Sequence, residues 1–374
     1  MERRFNVVKV DLSALAHNLG EVRRLVGSGV KIMAVVKADA YGHGLTRVGR
    51  HLVQNGADAL GVLDLDEAVR LRDAGVRIPI YILAGIEPGR CREIIEQGLV
   101  PFIYDAGLAR EMNEAARRLG VRAAVQLKVD TGMNRLGAPH WRAAEFFREA
   151  AGLEHLVVTG LVTHFAEADL KDSLFTQVQL DRFEAALDAA RKAGLDSLTL
   201  NNAANSAAVL SLPRTHQHMV RPGLMLYGAY PDPHLKNVAD LRPAMKMTSR
   251  IIQVKSIPPG ESVSYGRTWT SARETRIATA PVGYAHGINR LLSNRGCGLI
   301  RGRRAPLIGR VCMNLTLFDV THIPEAAPGD EIVLLGSQDG ETISGDEIAD
   351  LIGTINYEVF CHLGGLNARE YVGE

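Results

Sequence analysis

Residues 32–44 read Ile-Met-Ala-Val-Val-Lys-Ala-Asp-Ala-Tyr-Gly-His-Gly. Five apolar residues in a row, without polar alternation, are what a strand covered on both faces requires. The run stops at Lys37. No G-x-G-x-x-G turn follows, although an open doubly wound sheet more often carries one after its first strand. Similar apolar runs occur at 59–63, 78–83, 99–103, 123–129, 156–163, 197–200 and 218–221. The stretches between them have helical period; Leu174, Val178, Leu180, Phe183, Ala186, Leu187 and Ala190 recur every three or four positions, as one buried face demands. Eight strand–helix units in roughly 190 residues is the count of a closed (β/α)8 barrel. A further strand (7–12) and helix (13–26) precede the series.

After Pro222-Gly223 the pattern changes. From about residue 242 the long helical periods disappear, and short strand-like pieces follow at 248–256, 276–281, 298–301, 304–311, 315–320 and 331–335. One helix interrupts them at 344–352, with Ser344 as N-cap and Glu347 completing a capping box. The fold class is therefore α/β: an N-terminal, TIM-like (β/α)8 barrel over residues 1–240, then a mainly-β domain over 241–374. The first ten or so residues are expected to pack with the second domain.

Composition narrows the function. The 374 residues are 46% hydrophobic and 23% charged, ordinary values for a globular protein. Lys plus Arg number 43 against 42 Asp plus Glu, a net charge of +1 that argues against a nucleic-acid partner. Cys91, Cys297, Cys312 and Cys361 lie far apart with no C-x-x-C, which argues against a zinc site and fits a reducing cytoplasm. The start, Met1-Glu2-Arg3-Arg4, is charged, and Lys9 and Asp11 break any signal-peptide core. No apolar run approaches the ~20 residues of a membrane helix. The partner is expected to be a small molecule.

Barrel chemistry gathers at the C-terminal ends of the strands. Here those ends offer Lys37, Lys128, His164, Asn201-Asn202 and Arg221. A lysine abutting an apolar run is partly desolvated, which frees its amine for a Schiff base or general base. The Tyr-Gly-His-Gly after Lys37 has glycines that allow backbone to approach a bound group closely. The loops after strands seven and eight, the usual phosphate site of this fold, offer Asn205-Ser206 at a helix start and the turn Pro222-Gly223-Leu224. An aldehyde-reactive lysine and a phosphate cradle at one barrel mouth point to pyridoxal 5'-phosphate. Arg221 cannot accept a proton, so a pyridine nitrogen facing it would stay unprotonated, favouring quick reprotonation over transamination.

These motifs resemble bacterial alanine racemase, from Val10-Asp11-Leu12-Ser13 to Asn356-Tyr357-Glu358. The most specific is Ala-Val-Val-Lys-Ala-Asp-Ala-Tyr-Gly-His-Gly at 34–44; residues 130–137, 220–223, 264–266 and 309–313 resemble further family blocks. The resemblance implies that Lys37 holds the cofactor as a Schiff base and moves the proton on the D-face. Tyr265, from the second domain of a partner subunit, would be the opposite base. Racemisation needs two groups flanking a planar centre. A phenol titrates near about 10 in water and needs help to act as a base; His164 and Arg221 match the family's helpers. Tyr41, Ser206, Gly223, Leu224 and Tyr357 match phosphate positions. Arg135 and Met313 match substrate positions, and Lys128 matches a lysine that is often carbamylated. The same resemblance implies a homodimer with shared sites, alanine as substrate, no metal, and D-alanine for cell-wall peptidoglycan. His286 and Asn314 stand where the family usually has Asp, and the tail from Cys361 to Arg369 is unlike the common ending. The alternatives are a serine or lysine racemase or a decarboxylase on this scaffold, or a non-catalytic cofactor carrier. Arg221 counts against the decarboxylase, and a β domain bearing Tyr265 against the carrier.

Overall fold

The computed structural model describes residues 5–373; the charged start at 1–4 lies outside them. The chain forms two units. One runs over Leu15–Ala40 and Leu45–Arg242; the other combines the described residues before Leu15 with Tyr41–Gly44 and the described residues from Pro243 onward.

Strand β1 (Val7–Asp11) belongs to the second unit. The first unit opens its parallel sheet with β2 (Lys31–Val35), β3 (Ala59–Val62), β4 (Ile80–Ile82), β5 (Val100–Ile103) and β6 (Ala123–Asp130), each paired with the next. The short β7 (Ala138–Pro139) returns beside the end of β6, and β8 (Leu156–Val162) runs parallel along it. The expected seventh strand at 197–200 does not form there. The chain instead touches β8 through a bridge between Val162 and Asn202, supported by Leu200 N–H to Thr159 O at 2.9 Å. Gly160 makes this close approach possible: a Cβ there would lie 2.6 Å from the Leu200 carbonyl carbon. Met219 N–H donates to Asn201 O, and β9 (Met219–Val220) pairs with β2, closing the barrel. Eight parallel segments thus make the ring, one of them a bridge rather than a regular strand.

The interior is packed as the continuous apolar runs require. Met33, Ala59, Tyr81, Val100, Phe102, Val162 and Met219 form one buried cluster inside the ring. Two polar side chains are buried with it, and both are bonded. Asn202 donates to Gln126 Oε1 at 2.8 Å, and each donates to Leu200 O. Helices follow the strands, several with side-chain caps; Asp64, Asp105 and Ser173 each accept the backbone N–H three residues on.

The second unit is built on a mixed sheet in which β1 lies between β10 (Met245–Arg250), antiparallel, and the C-terminal strand Ala368–Val372, parallel. A run expected as one strand at 248–256 breaks into Met245–Arg250 and Gln253–Ile257, which join different sheets. Ser344 caps its helix by accepting from Glu347 N–H at 3.0 Å. The Glu347 carboxylate, expected to complete a capping box, pairs instead with Arg304. The reading of a single helix in this domain is corrected by a second one, Asn356–Gly365. Its mix of Gly and Cys with few charges gives a weak helical period. Residues 41–44 pack against that helix and the last strand: Tyr371 Oη donates to His43 O at 3.1 Å and Arg369 Nη1 to Gly42 O at 3.1 Å. Of the glycines expected to admit a bound group, Gly42 admits the Phe360 backbone, and Gly44 admits the side chains of Tyr371 and Arg369. A Cβ on Gly364 would sit 1.9 Å from Gly42 O, with no side chain to yield. Gly364→Ala is expected to destabilise the protein by about 2 kcal/mol, as overpacking against backbone does. Gly365→Ala, with open space around it, should be near neutral. Thermal unfolding of the two variants checks the contrast.

Candidate active site

The C-terminal rim of the barrel collects cations. Lys37 is half-buried two residues beyond β2. Lys128 lies inside β6, not at its end, and is 8% exposed, with Nζ 5.9 Å from the centre of the Phe102 ring. Burial is the main cause that lowers its pKa to about 8, followed by the nearby charges of Arg221, Arg135 and Lys37. Four cations, from β6 and the loop after it and from the ends of β2 and β9, thus act on one another in space.

Arg221 is the most constrained of them. Buried just past β9, it donates from Nη1 to Asn202 Oδ1 and from Nη2 to Thr163 O at 2.6 Å and Ala203 O at 3.3 Å. Burial lowers its pKa to about 9, which leaves it cationic near neutral pH. Nη2 also lies 3.4 Å from His164 Nδ1. A guanidinium only donates, so Nδ1 must accept and the imidazole keeps its proton on Nε2. Burial, and then the charges of Arg221, Arg135, Lys128 and Lys37, hold the His164 pKa well below its ordinary value. The neutral tautomer offers an N–H and no net charge.

A supporting layer underlies these groups. Thr131 and Thr163 share a hydroxyl–hydroxyl bond of 2.7 Å, and Gln179 donates to Thr131 Oγ1 and to His164 O. Gln126 and Gln179 escaped the sequence reading because a lone polar residue in an apolar run or on a helix carries no signal of its own; Thr131 and Thr163 stand at strand ends that it marked without giving them a role. Asp130 Oδ1 accepts the N–H groups of Gly132 and Asn134 at 2.8 and 3.0 Å, folding the loop that carries Arg135, whose side chain is exposed.

On the same unit, Asn205 caps helix Ser206–Ser211 through Ala208 N–H. Ser206 Oγ accepts from Gly223 N–H at 2.9 Å and Met225 N–H at 3.3 Å. A hydroxyl that accepts twice still has its own proton to donate, and these bonds tie Ser206 to the turn at residues 223–225. Leu224 itself is buried.

The remaining candidates belong to the second unit. Tyr41 is buried, and its ring centre lies 5.9 Å from that of Tyr357. Burial, with Tyr357 and Cys361 nearby, pushes its phenol well above the usual value, so it stays protonated. Tyr265 opens the turn Tyr265–Arg267, and the preceding Ser264 donates to Arg310 O at 2.6 Å, tying that block to residues 309–313. Met313 is held through its carbonyl by Ala285 N–H at 3.0 Å, and Cys312 through its carbonyl by Tyr284 N–H. His286 Nδ1 accepts from Gly283 N–H at 3.2 Å within that turn, and Asn314 is exposed.

A closed βα barrel with a lysine, a neutral histidine and a buried arginine at the ends of its strands, followed in the chain by a mainly-β unit, places the protein among the two-part βα-barrel enzymes. Residues 10–231 match the family model for the alanine racemase N-terminal domain, and residues 244–371 match that for its C-terminal domain. The alanine racemase of Syntrophobacter fumaroxidans is 46% identical over 357 residues, covering 96% of this chain and 95% of that protein. The alanine racemase structure from the D-cycloserine producing Streptomyces lavendulae matches with a TM-score of 0.95 at 35% identity, covering 100% of this chain and 98% of that one. The Bacillus anthracis alanine racemase with bound L-Ala-P matches with a TM-score of 0.91 at 30% identity, covering 100% and 97%. The chain belongs to the alanine racemase family.

The state of His164 has a pH consequence. Its folded pKa lies below the unfolded value of 6.5, so between the two the unfolded chain binds the extra proton. Stability contributed by the neutral imidazole is full above that range and falls as pH drops through it. Urea unfolding of His164→Asn should show a shallower loss of stability between about pH 7 and pH 5 than the unsubstituted protein.

Proposed function

We propose that this protein interconverts L-alanine and D-alanine with pyridoxal 5'-phosphate, as a homodimer in the cytoplasm, supplying D-alanine for cell-wall peptidoglycan. The observation that carries this reading is Arg221, a buried guanidinium bonded to Asn202, Thr163 and His164 at the barrel rim. The donor set fits the cofactor. A donor-only group suits an unprotonated ring nitrogen, and the Ser206 hydroxyl with its helix start suits a phosphate. When bound, the cofactor supplies the electron-withdrawing ring that acidifies the substrate's α-proton.

This chain's residues would do the rest. Lys37 holds the cofactor and moves a proton at Nζ on the face of the D-enantiomer. Tyr265 moves one at Oη on the opposite face. The Nε2–H of neutral His164 is the kind of donor that steadies a phenolate, and Arg221 keeps it neutral. Tyr41, Asn205, Ser206, Gly223, Leu224 and Tyr357 receive the phosphate. Arg135 receives the substrate carboxylate, and Met313 of the partner's second domain lines the substrate position. Lys128, with a free-amine fraction near neutral pH, is the amine on which a carbamate would form. Dimerisation is supported by Tyr265 and Met313, which are 70% and 56% exposed in the single chain, as residues serving a partner's site would be. Two further observations fit the compartment. No disulfide joins the four cysteines, and no helix among the described residues is long and apolar enough to cross a membrane.

Borohydride reduction of the loaded protein should fix the cofactor to the peptide containing Lys37. Chiral chromatography should show L- and D-alanine converging from either side, ahead of serine and lysine. Tyr265→Phe is expected to slow proton removal from L-alanine by about 10²–10⁴-fold, the usual worth of a general base, while cofactor content is kept. Equal loss of cofactor and activity would point to a structural role for the tyrosine.

A further inference from the structure

Residues 38–41, directly after Lys37, have φ values of 53°, 54°, 55° and 54°. They form a full left-handed turn without a single glycine, closed by Ala40 N–H to Val36 O at 2.8 Å. L-residues resist this conformation because Cβ crowds the following carbonyl. Something outside the turn must hold it. Asp39 N–H donates to Glu67 Oε1 at 3.2 Å, and Leu63 N–H donates to Glu67 Oε2 at 2.8 Å. Asp39 Oδ1 accepts in turn from Leu45 N–H at 2.8 Å and from Arg70 Nη2 at 3.4 Å. Glu67 and Arg70 both stand on helix Leu65–Asp73, whose N-cap Asp64 accepts the Glu67 N–H. A carboxylate in the first turn of a helix is favourably placed against the helix dipole.

We propose that Glu67 is a positioning residue for Lys37: its carboxylate clamps the left-handed turn to the end of the neighbouring β3 strand and so fixes where the lysine leaves the barrel. Lys37 stands between two anchors. Before it, Val36 N–H bonds Gly61 O at 2.8 Å; after it, Asp39 bonds Glu67. The turn cannot relax to a right-handed one without giving up the second anchor. The proposal rests on the reading of Lys37 as the cofactor lysine, and deepens it. Both Glu67 oxygens are spent on backbone N–H groups, so its role passes through the turn.

Glu67→Gln is the informative substitution. It keeps one acceptor and sets an NH2 against the second backbone N–H. In the full-length holoenzyme, kcat is expected to fall by roughly tenfold to a hundredfold with KM for L-alanine within about twofold, because a misplaced group harms the reaction more than substrate binding. Cofactor should dissociate faster, with a weaker visible absorbance band, and the Asp39 amide should exchange hydrogen faster. Adding Ala38→Gly should recover part of each loss, since glycine takes the left-handed region at no steric cost. A purely structural role would not predict that recovery. Unchanged kcat and unchanged Asp39 exchange in Glu67→Gln would overturn the proposal, as would losses that Ala38→Gly leaves untouched. If Glu67→Gln does not fold, exchange in the unsubstituted protein decides. One shared acceptor predicts matched protection at Asp39 and Leu63; protection of Leu63 alone overturns the clamp. Borohydride mapping of the unsubstituted holoenzyme tests the Lys37 reading separately from these measurements.

Discussion

A guanidinium buried at the rim of an apolar barrel constrains everything around it. Taking a charge out of water costs several kcal/mol unless each donor finds a partner. Arg221 answers that demand at its two Nη atoms, which reach Asn202, two main-chain carbonyls and His164. Those partners come from the segment ends after β8 and the Asn202 bridge, so satisfying one charge aligns adjacent parts of the ring. The same contact leaves His164 neutral, and a neutral histidine can sit among Lys37, Lys128 and Arg135 where a charged one would be repelled.

That cluster shows how a nearly neutral chain builds a strongly positive site. The surface carries many Arg–Glu and Arg–Asp pairs, such as Arg117 with Glu114 and Arg301 with Asp330. Exposed pairs of this kind contribute little to stability. Their effect on composition is larger, because they cancel the formal charge that the rim concentrates. At Lys128 burial weighs most against the charged amine, and the neighbouring cations Arg221, Arg135 and Lys37 add to it. An anion entering the rim relieves both the mutual repulsion and the desolvation.

Strain is distributed in the same economical way. Four non-glycine residues in the left-handed region, at about 1–2 kcal/mol each, are a considerable load for one loop. The loop adjoins the residue on which the chemistry is proposed to turn. Helix Leu65–Asp73 carries both a capped N-terminus and the Glu67 side chain that bonds the loop. Local stability in one βα unit thereby supports geometry in the one before it.

Much of this was legible along the chain. Uninterrupted apolar runs such as 32–36 and 123–129 implied a sheet covered on both faces, and their number implied a closed barrel, because strand burial is written directly in hydrophobic pattern. Lys37, Lys128, His164 and Arg221 stood out because charge at the edge of such a run is expensive. Other features depended on folding. The seventh segment contributes a bridge at Asn202 where 197–200 suggested a strand, since pairing there is set by the close approach to Gly160. The glycines at 42 and 44 serve contacts with Phe360 and Tyr371, more than 300 positions away. The left-handed turn and its Glu67 anchor leave no trace in sequence, because Ala-Asp-Ala-Tyr has no preference for that conformation. Sequence alone determined which residues are apolar, charged or able to take protons. Tertiary structure decided which charges meet, which proton each histidine nitrogen keeps and which strained turn is held, because these depend on distances of a few ångströms between residues remote in the chain.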